Sequence, residues 1–178
     1  MNPDHLRDSS FDRLALEELG FEGFVPLLGL DTRLVPRDPG VYCVLRQESE
    51  PPQFVDASPA GWFKGKDPSV GLDRLEANWV PGATVVYIGK ASLRRSGVSA
   101  LRKRLDEYRR HGSGEPVGHW GGRFIWQLAD AQDLLICWRP SGDADAEDIE
   151  SEMLKQFAEH HGALPFANLK KGRFHGAA

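Results

Sequence analysis

Two short apolar runs constrain this chain most. "GVYCVLR" starts at Gly40 behind Pro39, and "ATVVYIG" ends at Gly89. Both are rich in β-branched and aromatic residues and bounded by turn formers, which predicts a strand for each. "SALRKRLDEYRR" follows, with Leu101, Leu105 and Tyr108 at i, i+4 and i+7, the spacing of one helix face. Strands early and helices later, without a regular strand–helix alternation, predict an α+β fold: a small mixed or antiparallel sheet flanked by helices.

The remaining segments fill in that frame. "SSFDRLALEEL" predicts a helix capped by a serine, and "FEGFVPLLGLD" an apolar segment packed along the domain. "QESEPPQFVDASPAGWFKGKDPS" is a Pro-, Gly- and Ser-rich loop, longer than a compact domain usually carries without a use for it. "VGLDRLEANWV" predicts a short helix with Leu72, Leu75 and Trp79 on one face. "GRFIWQLADAQDLLICWRP" predicts two strands around an Asp-Ala-Gln turn. "DADAEDIESEMLKQFAEHHG" predicts a helix with acids at its start, which suit the helix dipole, and Gly162 as its stop. The expected organisation is an N-terminal helical extension (1–38), a domain over 39–170 with an insert at about 47–82, and a tail (171–178).

Charge is unevenly distributed. The net charge is −4, yet Lys90 to Arg110 holds eight Lys or Arg residues against Asp106 and Glu107. A local field of that kind, rather than the total, decides which partner is attracted. Cys43 and Cys137 each lie in an apolar run, as buried reduced thiols do. "MNPDHLRDSS" has no basic-then-apolar signal pattern, and no apolar run approaches the ~18 residues of a membrane span. The expectations are a cytoplasmic location and no membrane partner.

Several motifs coincide in order: Gly40-Val-Tyr42, Tyr87-Ile-Gly89 followed by Lys90, Arg104 and Tyr108 on the next helix, "IESEMLKQF", and Pro165-Phe-Ala-Asn168. Together they resemble the GIY-YIG nuclease superfamily over about Gly40 to Asn168. Val41 stands where the family has Ile, and about 35 residues lie between Arg46 and Gly82, far more than the usual connection. The resemblance implies the GIY-YIG fold with an N-terminal extension and a long insert. It also implies a metal-dependent endonuclease that hydrolyses DNA, with a catalytically inactive nucleic-acid-binding module as the alternative. Tyr42, Tyr87, Lys90, Arg104, Tyr108 and Glu150 are the implied catalytic residues.

Helix geometry selects among the acidic residues of the last helix. At 100° per residue, Ile149, Met153, Leu154 and Phe157 span an apolar arc that includes Glu150, whereas Asp148 and Glu152 point away. A buried-face glutamate is costly unless paired. A divalent cation, Mg²⁺ or Mn²⁺, would pair with it, and so would Arg104 in a purely structural role. Mg²⁺ retains its waters and needs few protein ligands. Arg104 offers a planar fork for phosphate oxygens. A tyrosine acts as a base only if its pKa of ~10 falls, and Lys90, close behind Tyr87, would lower it. Tyr42 is favoured as the general base, with Tyr87 positioning water or phosphate.

Arg94, Arg95, Arg102, Lys103, Arg109 and Arg110 are expected to track the nucleic-acid backbone. His119 and Arg123, in "GHWGGRFIW", and Asn168 are further expected contacts. That segment reads either as a stacking contact or as a tight turn with a Trp plug. His119 has no partner at metal-ligand spacing. Lys64, Lys66, Arg74 and Arg46, in the insert and its flank, read with Trp62 and Phe63 as a lid or DNA-reading loop, or as a solvated loop. Two copies would be needed for coordinated double-strand cutting.

Overall fold

The computed structural model describes residues 11–92 and 100–169. Its centre is a four-stranded sheet in the order β1-β4-β2-β3, with every neighbouring pair antiparallel. The strands are β1 (Glu22–Pro26), β2 (Gly40–Leu45), β3 (Val85–Ala91) and β4 (Leu135–Pro140). The helices are α1 (Arg13–Glu18), α2 (Leu72–Asn78), α3 (Ala100–Gly112) and α4 (Ala146–His161). The fold is α+β, and among the described residues no helix is long and apolar enough to cross a membrane.

Every residue of β2 is buried because both faces of the sheet are covered. On one face Tyr42, Val44, Val86 and Tyr87 meet Leu101, Leu105 and Tyr108 of α3 and the Phe124–Trp126 segment. On the other, Val41, Cys43, Leu45, Val85 and Ile88 meet Met153, Leu154 and Phe157 of α4. Burying a large apolar side chain of this kind stabilises the fold by roughly 1.5–3 kcal/mol. Cys43 and Cys137 are register partners, buried and free.

One irregularity in β3 sets up the tyrosine face. Val44 pairs with Tyr87 but Leu45 pairs with Val85, so Val86 is an extra residue in β3. Such a bulge breaks the two-residue alternation. Val86 and Tyr87 consequently both join the Tyr42 face, while Val85 and Ile88 join the other.

Three local expectations change. The N-terminal extension is part of the main fold: β1 pairs with β4, and Leu16 of α1 packs beneath α4. The "FEGFVP" strand was hidden by Gly23 and Phe24, both at positive φ, which interrupt its ladder. Arg123–Gln127 is a 3₁₀ turn rather than a strand, so only the second half of that predicted pair, β4, is extended. Asp12 caps α1 by accepting from Ala15 N at 2.9 Å, and the predicted serine cap lies outside the described residues. The α2, α3 and α4 helices appear where the periodicity puts them. Asp145 caps α4 at its start, and Gly162, at φ 73°, terminates it in the left-handed region.

Candidate functional site

The Tyr42 face carries a closed aromatic group. Tyr42 comes from the centre of β2 and Tyr87 from β3, and their ring centroids lie 6.0 Å apart. Tyr108 of α3 lies 6.2 Å from Tyr42 and 5.6 Å from Tyr87. His119 completes the group. Its ring stacks on Tyr108 at 3.6 Å with the planes 5° apart, and its Nε2 lies 2.9 Å from the Tyr42 hydroxyl.

Two glycines make this packing possible. A Cβ on Gly89 would sit 2.5 Å from Tyr42 Cζ, so the glycine of "YIG" is the floor under the Tyr42 ring. A Cβ on Gly122 would overlap the Tyr108 hydroxyl, which donates to the Gly122 carbonyl at 2.9 Å. The Gly118–Gly122 segment thus closes over the tyrosines.

Burial sets the electrostatics. It raises the Tyr42 pKa above the ordinary tyrosine value; the Arg104 cation opposes the rise and Glu150 adds to it. Tyr87 is raised further by burial and by Tyr42. Burial also works against the Arg104 cation, but the two tyrosines outweigh it and hold the guanidinium firmly protonated. His119 is kept neutral, first by burial and then by the nearby Arg104 charge.

Arg104 remains partly open, with its side chain 25% exposed. Its Nη1 donates to the Gly118 carbonyl at 3.3 Å and reaches Glu107 at 3.5 Å. Glu150 is 15% exposed, and burial raises its pKa against the pull of Lys90. Lys90 is divided: its Nζ lies 2.8 Å from Glu147 and 3.5 Å from Glu150. Lys90 therefore serves the carboxylates of α4, and the cation that acts against the raised pKa of Tyr87 is Arg104. Alternation along β3 turns Lys90 to the opposite face, a consequence of strand geometry that closeness in sequence conceals. Arg104 reaches Glu150 through its field, and the ion pair of Glu150 is with Lys90 instead.

Among the described residues no group of three or more His, Cys, Asp or Glu side chains gathers to hold a metal ion. A cation would rest on Glu150 with the rest of its shell as water, which suits Mg²⁺. A mostly buried carboxylate with an elevated pKa and a long ion pair fits that arrangement.

The expected nucleic-acid contacts divide sharply. Arg94 and Arg95 lie outside the described residues. Arg102 is a structural brace, donating to the carbonyls of Val35 and Arg33 at 2.9 and 3.1 Å. Arg109 pairs with Asp106, and Arg110 with Glu115 and Asp106. Lys103 is exposed. His119 is buried against Tyr42 and presents no surface to a nucleic acid. Arg123 is also buried, with its guanidinium 4.4 Å above the Trp120 ring. Asn168 is a backbone mimic: its side chain accepts from Ile88 N at 2.9 Å and donates to Ile88 O at 2.8 Å.

The sequence reading missed His119 as the partner of Tyr42. The only signal for it was the neighbouring glycine pair, which allows close approach.

No family model, curated protein or solved structure matches this chain.

Proposed function

We propose that this chain is a metal-dependent endonuclease that hydrolyses DNA phosphodiester bonds. The observation that carries the reading is that Tyr42 and Tyr87, from β2 and β3, lie 6.0 Å ring to ring, with Arg104 of α3 held beside them on the Gly118 carbonyl and its charge acting on both tyrosines and on Glu150 of α4. Hydrolysis needs an activated water, positive charge at the phosphate and help for the leaving oxygen.

Arg104 takes the phosphate. It is the exposed member of the group, and its fork binds two oxygens at once. Tyr42 handles the proton. In the tautomer that leaves His119 Nε2 unprotonated, the Tyr42 hydroxyl donates to it, and its lone pairs accept a proton from the attacking water while its own passes to Nε2. Burial opposes the charged imidazole as it opposes an acidic tyrosine, so the route operates only when the Gly118–Gly122 segment opens and water relieves that burial. Tyr87, its ring 6.0 Å from that of Tyr42, would orient the water. Glu150 would hold Mg²⁺ or Mn²⁺, which supplies further charge to the phosphate oxygens.

Tyr42 is wholly buried, so substrate reaches it only when the Gly118–Gly122 segment moves aside. That enclosure favours a second reading, a nucleic-acid-binding module on the same scaffold without catalysis.

Plasmid, single-stranded DNA and RNA, each incubated with Mg²⁺, with Mn²⁺ and with EDTA, separate the two. The nuclease reading expects nicked or linear plasmid with metal and none with EDTA. Binding without cleavage under every metal would leave the second reading standing.

A further inference from the structure

We infer that the Trp62–Lys66 turn of the insert is a preformed contact for a nucleic-acid strand, with Trp62 stacking on a base and Lys64 and Lys66 meeting flanking phosphates; this rests on the nucleic-acid reading above.

The turn is rigid. Phe63 and Lys66 exchange backbone hydrogen bonds at 3.1 and 3.3 Å across Lys64 and Gly65. Both central residues have positive φ, 53° and 73°. Two-residue turns of this kind favour Asn-Gly, because a lysine strains the left-handed region that asparagine tolerates. A lysine held there is exposed at the tip, with its Nζ 5.3 Å from the Phe63 ring centroid.

The turn is also anchored beside the candidate site. Gly61 N donates to the His111 carbonyl at 2.8 Å, and a Cβ on Gly61 would overlap the Glu115 carbonyl. Phe63 points inward onto Gly118, where an added Cβ would lie 3.0 Å from its Cζ. The carbonyl of Gly118 receives Arg104. The base of the turn and the phosphate-binding arginine thus share one residue.

What remains points outward. Trp62 is 57% exposed, and Lys64 and Lys66 are exposed on either side of Gly65. The adjacent carboxylate, Asp67, is turned back onto Ser69 N at 2.8 Å. An aromatic face flanked by two cations matches a single strand, whose bases stack and whose phosphates are neutralised.

The test measures affinity for a fluorescently labelled single-stranded oligonucleotide across a salt series, alongside cleavage. Trp62→Ala should weaken binding by about fivefold or more, and Trp62→Phe should restore most of it. Lys64→Ala with Lys66→Ala should reduce the salt slope by about 1.4, since each neutralised phosphate contributes roughly 0.7 on a single strand. If the parent cleaves and these variants keep its affinity and slope, the inference fails and the nuclease reading stands. If the parent binds without cleaving and the variants lose affinity as stated, the inference stands and the nuclease reading fails. No binding of any nucleic acid by the parent overturns both.

Discussion

The hydroxyl of Tyr42 and Nε2 of His119 meet at 2.9 Å although the residues lie 77 positions apart, and both side chains are sealed from solvent. Burial holds that imidazole neutral, and it takes a proton from Tyr42 only once the overlying Gly118–Gly122 segment opens to water. His119→Ala should lower kcat for cleavage by about 10²–10⁴-fold, the range for loss of a positioned proton acceptor, with KM little changed. Quantitative gel assays on a folded variant check this. An unchanged kcat would remove His119 from the proton path.

Glu150→Gln should separate stability from activity. Burial raises the Glu150 pKa above 4.5, so its charged form burdens the fold as pH rises through the raised value, and the burden is absent below 4.5. The amide removes that burden. The variant should melt about 2 °C or more higher at pH 7, show no gain below pH 4.5, and lose metal-dependent cleavage. Calorimetry at the two pH values, with a nuclease assay, decides it. A lower melting temperature at pH 7 would mean the Lys90 pair outweighs the cost of burial.

Acid should destabilise the protein through its buried histidines. His111 and His119 are held below their ordinary value of 6.5, chiefly by burial. The unfolded chain binds protons below that pH while the folded chain resists them, so stability is full above 6.5 and falls as pH drops. Each histidine contributes up to about 1.4 kcal/mol per pH unit across its window. Urea titrations between pH 7.5 and 5 measure the slope, and His119→Phe should flatten it.

Asn168→Ala tests whether the "PFAN" segment is structural. The variant leaves both polar groups of Ile88 without their side-chain partner, at a cost of about 1–3 kcal/mol if they stay buried. The salt slope of nucleic-acid binding should be unchanged. A flatter slope with unaltered stability would return Asn168 to the binding surface.

Gly89→Ala should damage the site from beneath. The new methyl would press 2.5 Å from Tyr42 Cζ, and overpacking of this kind costs typically 1–3 kcal/mol. Both the melting temperature and cleavage should fall. A variant that keeps both would show that the Tyr42 ring has room to shift.

Much of the fold was legible because its signals are local. β2 and β3 are covered on both faces and read as apolar runs, and α3 and α4 carry clear helical stripes. β1 was not legible, because two left-handed residues break its alternation. The candidate site was legible as a set of residue types and less so as a geometry. Glu150 was placed correctly on the buried face of α4 by its angle alone. Lys90 was assigned to Tyr87, but three residues along a strand, an odd separation, puts the two on opposite faces. His119 and Asn168 were assigned to the surface because their partners, on β2 and β3, are distant in sequence. The arginines of α3 were expected to track a backbone, although Asp106 and Glu107 lie at pairing distance on the same helix and Glu115, beyond its end, takes Arg110.

The bond between Asn168 and Ile88 has a consequence for assembly. β3 is the outer strand of the sheet, and outer strands recruit other chains. Here Ala167 N occupies the Val86 carbonyl and Asn168 occupies both polar groups of Ile88. The opposite border, β1, is short and kinked at Gly23 and Phe24. Among the described residues neither border offers a straight row of unpaired amides, so a sheet running continuously through two molecules is disfavoured. Two copies cutting opposite strands of one duplex would have to meet through helices or loops, leaving each sheet a private scaffold.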